Sequence, residues 1–152
     1  MKWTKEDINT YGGAKEFVDT LIIPLSPFQI VNTSESKKLS SQYEEMNILV
    51  KELEKELMGR VLLTPNYTYL KTTDKKAEVQ RINEWTSHVK ELPFEHVIFI
   101  TFDPSWRKES QNLDGEVVWL PAIQLDSSNS NEIQRIIREQ VGQTVELIRS
   151  FW

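Results

Sequence analysis

The stretch "VDTLIIPL", Val18 to Leu25, contains a continuous apolar run rich in Ile and Leu. Such a run, too short for a helix of its own, reads as a strand buried on both faces, as in a parallel sheet. A second stretch of the same character is "HVIFITF", His96 to Phe102. Two doubly buried strands require helices on both sides of them, and the sequence between supplies helical patterns. Leu39, Tyr43, Met46, Val50, Leu53 and Leu57 recur at steps of three and four, predicting a helix from about Leu39 to Met58, with Gly59 in the left-handed conformation that closes it. Val79, Ile82, Trp85, Val89 and Leu92 mark another, capped by Asp74 and stopped by Pro93.

The remaining elements fall around this frame. Thr4 and Asp7 form a capping-box-like start to a short N-terminal helix that ends at Gly12 and Gly13. "RVLLTPNYTYL" reads as a strand bent at Pro65, and "EVVWLPAIQL" as a fourth strand. "DSSNSN" offers caps for a last helix with Ile133, Ile136, Ile137, Val141, Val145, Ile148 and Phe151 on one face. The order β-α-β-α-β-β-α predicts an α/β, Rossmann-like, three-layer sandwich: a four-stranded, mainly parallel sheet with helices on both faces. Pro65 and Pro121 push the second and fourth strands to the edges, giving the order 2-1-3-4. With no helical pattern between the third and fourth strands, the last strand is expected to be antiparallel.

The chain has 152 residues, which fits a single domain over 1–152, and 39% hydrophobic with 27% charged residues is a folding composition. A net charge of -5 disfavours nucleic acid as a partner. No apolar run approaches a transmembrane segment, and "MKWTKEDINTY" lacks the apolar stretch of a signal peptide, so a cytoplasmic location is expected. The absence of cysteine removes disulfides, thiolate nucleophiles and thiolate-held metals. The five tryptophans are expected to pack the core.

In open α/β sheets, ligands bind beyond the carboxyl ends of the strands where the strand order reverses. Here that point is flanked by "SPFQIVNTSES" and "DPSWRKES", with "TPNY" beside them. Ser26, Asn32, Tyr67, Asp103, Ser105 and Trp106 are therefore the candidate ligand-binding residues, with Lys108 nearby. Asp103 is equally suited to starting an Asp-Pro turn, in which its carboxylate bonds nearby amides.

No catalytic or metal-binding residues are assigned, and no cofactor is specified. His96 begins the strand that Asp103 ends, roughly 20 Å away at ~3.3 Å per residue, and His88 belongs to the same amino edge, which argues against a Ser-His-Asp triad. None of the five glycines forms a dinucleotide or phosphate-loop motif. A phosphate could still meet the first amides of the long helix near Ser40 and Ser41, with Lys37 or Lys38 beside it. Asn66-Tyr67-Thr68 matches a glycosylation sequon but has no secretion signal with it. The aromatic end, Phe151 and Trp152, suits packing across the sheet or a contribution to a dimer.

The opening "MKW", then "EFVDTLIIPL", and the later strand ends "FDPSW" and "WLP" resemble the YpiF-like domain-of-unknown-function family of Bacillus-type bacteria. The resemblance covers nearly the whole chain and carries no activity, cofactor or catalytic residue to transfer. Members of that family are often encoded beside the menaquinol–cytochrome c reductase, which implies an accessory role near a respiratory complex. Two functional classes stay open. One is an accessory or protein-interaction domain, with a protein partner or a homodimer. The other is a small-molecule or nucleotide-binding domain, with its site at the carboxyl ends of the first and third strands.

Overall fold

The computed structural model describes residues 1–123 and 130–152. Its elements are α1 (Lys5–Gly12), β1 (Thr20–Phe28), α2 (Thr33–Glu56), β2 (Val61–Leu63), β3 (Tyr67–Leu70), α3 (Lys75–His88), β4 (His96–Thr101), β5 (Glu116–Trp119) and α4 (Ser130–Phe151). Short 3-10 turns occupy Lys15–Phe17 and Pro104–Glu109. The α/β class and the three layers expected from the sequence are present. α2 and α4 cover one sheet face through Met46, Leu49, Leu53, Val141, Val145 and Ile148 against Ile22, Ile98, Ile100 and Val118. α1 and α3 cover the other, where Tyr11, Val79 and Ile82 meet Leu21, Ile23 and Phe99. Each such aliphatic side chain contributes roughly 1.5–3 kcal/mol by leaving water.

The sheet differs in detail from the expectation. Among the described residues it has five strands, in the path β2-β1-β4-β5, with β3 also paired to β1. The expected second strand is two strands, because the chain breaks at residues 64–66 around Pro65. The last strand is parallel: Ile98 pairs with Glu116 and Thr101 with Trp119 in the parallel sense. An antiparallel partner needs only a tight turn, whereas a parallel one needs a crossover of a dozen or more residues. The 3-10 turn at Pro104–Glu109, with Trp106 fully buried against the sheet, supplies that crossover without an α-helix.

Pro24 lies within the central strand, and the break in its neighbour makes this possible. Ile22 accepts a hydrogen bond from the Thr64 amide at 3.0 Å, and the Thr20 amide donates to the Arg60 carbonyl at 3.2 Å. Alternate residues of β1 therefore face β2 and β3, and Pro24 is one of them. β2 pairs with β1 over Thr20–Ile22 and β3 over Leu25–Phe28, so the donorless nitrogen of Pro24 meets the gap between them. Pro27 faces the other side, past the last β1–β4 pair, Leu25 with Thr101.

Several local expectations hold. Thr4 Oγ1 accepts from the Asp7 amide at 3.1 Å, Asp74 Oδ1 accepts from the Lys76 amide, and Gly59 has φ +89°. Others shift. α2 begins six residues earlier than its apolar stripe, at Thr33, capped by Asn32, whose Oδ1 accepts from the Glu35 amide at 3.0 Å. Ser40 and Ser41 therefore sit inside the helix, not at its amino end, and no phosphate site forms on them. α3 ends at His88, short of Pro93. Only Trp106 of the five tryptophans is fully buried, and Trp3 is exposed. The "DSSNSN" caps and the end of the fourth predicted strand fall wholly or partly on residues 124–129, outside the described residues.

Candidate functional site

Asp103 follows β4 and caps the turn at Pro104–Glu109. Its Oδ1 accepts from the Ser105 amide at 3.0 Å and the Ser105 hydroxyl at 2.6 Å. Its Oδ2 accepts from the Tyr69 hydroxyl at 2.7 Å and lies 3.4 Å from Lys75 Nζ. Tyr69 in turn accepts from Trp106 Nε1 at 2.8 Å, and the two rings meet edge to face at 5.2 Å. Lys75 lies over the Tyr69 ring, 4.4 Å from its centroid. Both carboxylate oxygens are thus engaged by this chain's own donors. Burial alone would raise the Asp103 pKa, but the bonds from Ser105 and Tyr69 and the Lys75 charge outweigh it and lower it. The same surroundings push the Tyr69 phenol far above its ordinary range, burial first and the Asp103 charge second, so it stays a donor.

The six sequence candidates do not converge on one point. Asp103, Ser105 and Trp106 come together, joined by Tyr69 and Lys75, which sequence reading missed. Tyr67 is on the same sheet face and its ring lies 6.4 Å from that of Tyr69, but its hydroxyl donates to Glu78, which also pairs with Arg81 at 2.9 Å. Ser26 points to the opposite face, where its Oγ accepts from Asn66 Nδ2 at 3.1 Å. Asn32 is spent on the α2 cap, and Lys108 stands in solvent. His88 and His96 lie at the amino edge, as the strand geometry requires.

A cleft of about 570 Å³ opens on the Ser26 side, at the carboxyl ends of β1 and β3 under the first turns of α2. Ser26, Phe28 and Thr68 lie along its sheet side, and Leu39 and Tyr43 line it from α2. At its mouth Phe28 is 47% exposed and Ile30 75%, and beside them Val31 is 96% exposed. Leu70, the register partner of Phe28, extends the apolar strip. Lys37 lines the rim, and Lys71 pairs with Glu35 close by. The signal for this surface is in the sequence: Phe28, Ile30 and Val31 are apolar residues in a stretch that otherwise reads as a polar loop.

Among the described residues no group of three or more His, Asp or Glu side chains is placed to hold a metal ion. Among them, too, no helix is long and apolar enough to cross a membrane.

Comparison with known proteins bears out the resemblance read from the sequence. Residues 9–152 match the family described as "Protein of unknown function (DUF2487)". The uncharacterized protein YpiF of Bacillus subtilis (strain 168) is 29% identical over 153 residues, an alignment spanning 100% of this chain and 98% of that protein. No solved structure matches.

Proposed function

Because this chain belongs to the family of proteins of unknown function DUF2487, we propose its role from its own geometry: an accessory, protein-interaction domain that holds an apolar segment of a partner at the carboxyl-edge cleft. The observation that carries this reading is the exposure of Phe28, Ile30 and Val31 together at and beside the mouth of that cleft. Scattered exposed apolar residues are ordinary, but a contiguous apolar strip beside a groove marks a contact surface. An amphipathic partner helix suits it, with its apolar face against Phe28 and Tyr43 and acidic residues toward Lys37. In this reading residues 1–152 act as one Rossmann-like domain in the cytoplasm, with no nucleic-acid partner.

A photo-crosslinking residue placed at Ile30 in the native cell tests it. The expected result is one adduct of defined mass that is absent when the same residue replaces the exposed Met58. No adduct from position 30, or equal adducts from both positions, overturns the reading.

The volume of the cleft favours a second reading, in which Ser26, Thr68 and Ser36 orient a small molecule there. A thermal-shift screen against nucleotides and common metabolites separates the two. A ligand at a hundred times its Kd stabilises the fold by ~2.7 kcal/mol, and Tyr43→Ala removes that gain.

A further inference from the structure

A second cleft, of about 610 Å³, lies between α1 and α3 on the other sheet face. It shares no wall with the carboxyl-edge cleft. Its lining is rich in aromatic rings: Trp3, Tyr11, Trp85 and Phe94 contribute, with Glu84 and His88 as polar groups. Trp3 is 64% exposed, so one indole of the wall is left largely in water. The face of an indole attracts a cation within about 6 Å of the ring centroid, more strongly than the ring of Tyr or Phe does. The chain already uses such an attraction beside the cleft: Lys15 Nζ lies 5.9 Å from the Tyr11 centroid, although Lys15 is not part of the lining. Among the described residues no Lys or Arg lines the cleft itself, and Glu84 is its only carboxylate. Arg81, one turn back on α3, is paired with Glu78 at 2.9 Å, and Glu84 makes no ion pair or hydrogen bond with another described residue.

We infer that this cleft binds an organic cation, an amine or quaternary ammonium group on a small apolar body, with the charge against the Trp3 and Trp85 indoles and the Glu84 carboxylate as its counter-ion. Aromatic rings around a cation are how proteins recognise quaternary ammonium ligands. An inorganic cation does not suit the site, because it holds its water strongly and one carboxylate cannot replace that shell. Few polar groups in a mostly apolar cavity of this volume are the usual composition of a small-molecule site. The net charge of -5 favours the approach of a cation. The site stands independently of the carboxyl-edge reading and survives its failure.

The test uses the full chain and (3-hydroxyphenyl)trimethylammonium, with 3-tert-butylphenol as a neutral probe of the same shape. Binding is read from the tryptophan indole N–H signals in magnetic resonance spectra. The cation is expected to bind saturably and to shift the Trp3 and Trp85 signals. It binds about tenfold tighter than the neutral probe, the worth of a cation–π contact and an exposed ion pair together. Glu84 is exposed, so Glu84→Gln keeps the fold. It narrows the preference about twofold, the worth of an exposed ion pair, and leaves the affinity for the neutral probe unchanged. Trp3→Ala, also an exposed change, weakens binding of the cation more than that of the neutral probe. Absence of saturable binding at millimolar probe, equal affinity for the two probes, or an unchanged preference in Glu84→Gln overturns the inference. So does loss of binding in Tyr43→Ala, which alters only the other cleft.

Discussion

The Tyr69 hydroxyl donates to Asp103 Oδ2 at 2.7 Å, joining the edge strand β3 to the turn that follows β4. This bond and the two from Ser105 give Asp103 a structural occupation. Asp103→Asn is expected to lower stability by about 1–3 kcal/mol, because a charge-assisted set of bonds is replaced by one that an amide cannot fully accept. Equilibrium urea unfolding measures it. The Asp103 pKa is depressed in the folded state. Its contribution is therefore present above the unfolded value of ~3.9 and disappears as pH falls through the lower folded value. The wild type should lose its advantage over Asp103→Asn in strong acid, and equal gaps at pH 7 and in strong acid would contradict this account.

Glu45 gives the opposite slope. It is buried on α2, and its carboxylate accepts the Ile123 amide at 3.0 and 3.1 Å. Burial pushes its pKa up to about 7, partly offset by that amide bond. A raised folded pKa makes its contribution complete below the unfolded value of ~4.3, and the contribution is lost as pH rises through about 7. Glu45→Gln keeps an acceptor for Ile123 and removes the titration. The variant should gain on the wild type by roughly 1–3 kcal/mol between pH 5 and pH 8, read from urea midpoints at the two pH values.

Gly115 precedes β5 where the chain runs against β4. A Cβ there would meet the Val97 carbonyl oxygen at 2.6 Å and Phe99 Cε2 at 2.8 Å. The first neighbour is backbone and cannot swing aside. Gly115→Ala is expected to destabilise by about 1–3 kcal/mol, with loss of order in the turn around Asp114. Thermal unfolding and the amide spectrum of β5 report both effects.

Trp152 is held by this chain itself. Its Nε1 donates to Thr20 Oγ1 at 2.9 Å, and the Arg60 guanidinium stacks 3.7 Å from the ring centroid. Arg60 also binds Asp19 through Nε, 2.9 Å from both carboxylate oxygens. Trp152→Ala should cost about 3 kcal/mol or more, as loss of a large packed aromatic does. Sedimentation of the same variant shows whether that ring also serves self-association.

The sequence carried the layers because each depends on a local pattern. The apolar runs of β1 and β4 and the stripes of α2, α3 and α4 are periodicities that burial requires. Pairing direction is not local. Nothing between Phe102 and Gly115 has helical spacing, and the 3-10 crossover is visible only once Trp106 is seen seated against the sheet. The α2 start was legible in principle, since Asn32 and Glu35 stand at capping-box spacing. The apolar stripe, which begins at Leu39, hid it. At the candidate site, the turn role of Asp103 follows from Asp-Pro chemistry. Its partners Tyr69 and Lys75 come from β3 and α3, and only the tertiary fold brings them there.

The all-parallel pairing has a consequence for biosynthesis. Among the described residues β1 has no hairpin partner. It waits for β2, β3 and then β4, which pairs with it from His96 onward. The roughly seventy-five residues between Thr20 and His96 take ~4–15 s at ~5–20 residues per second on the ribosome. Through that interval the apolar strand β1 is made but unpaired along the edge that β4 later covers. Nascent chains stalled before β4 should therefore be the form that holdase chaperones engage, and release should follow emergence of His96 to Thr101.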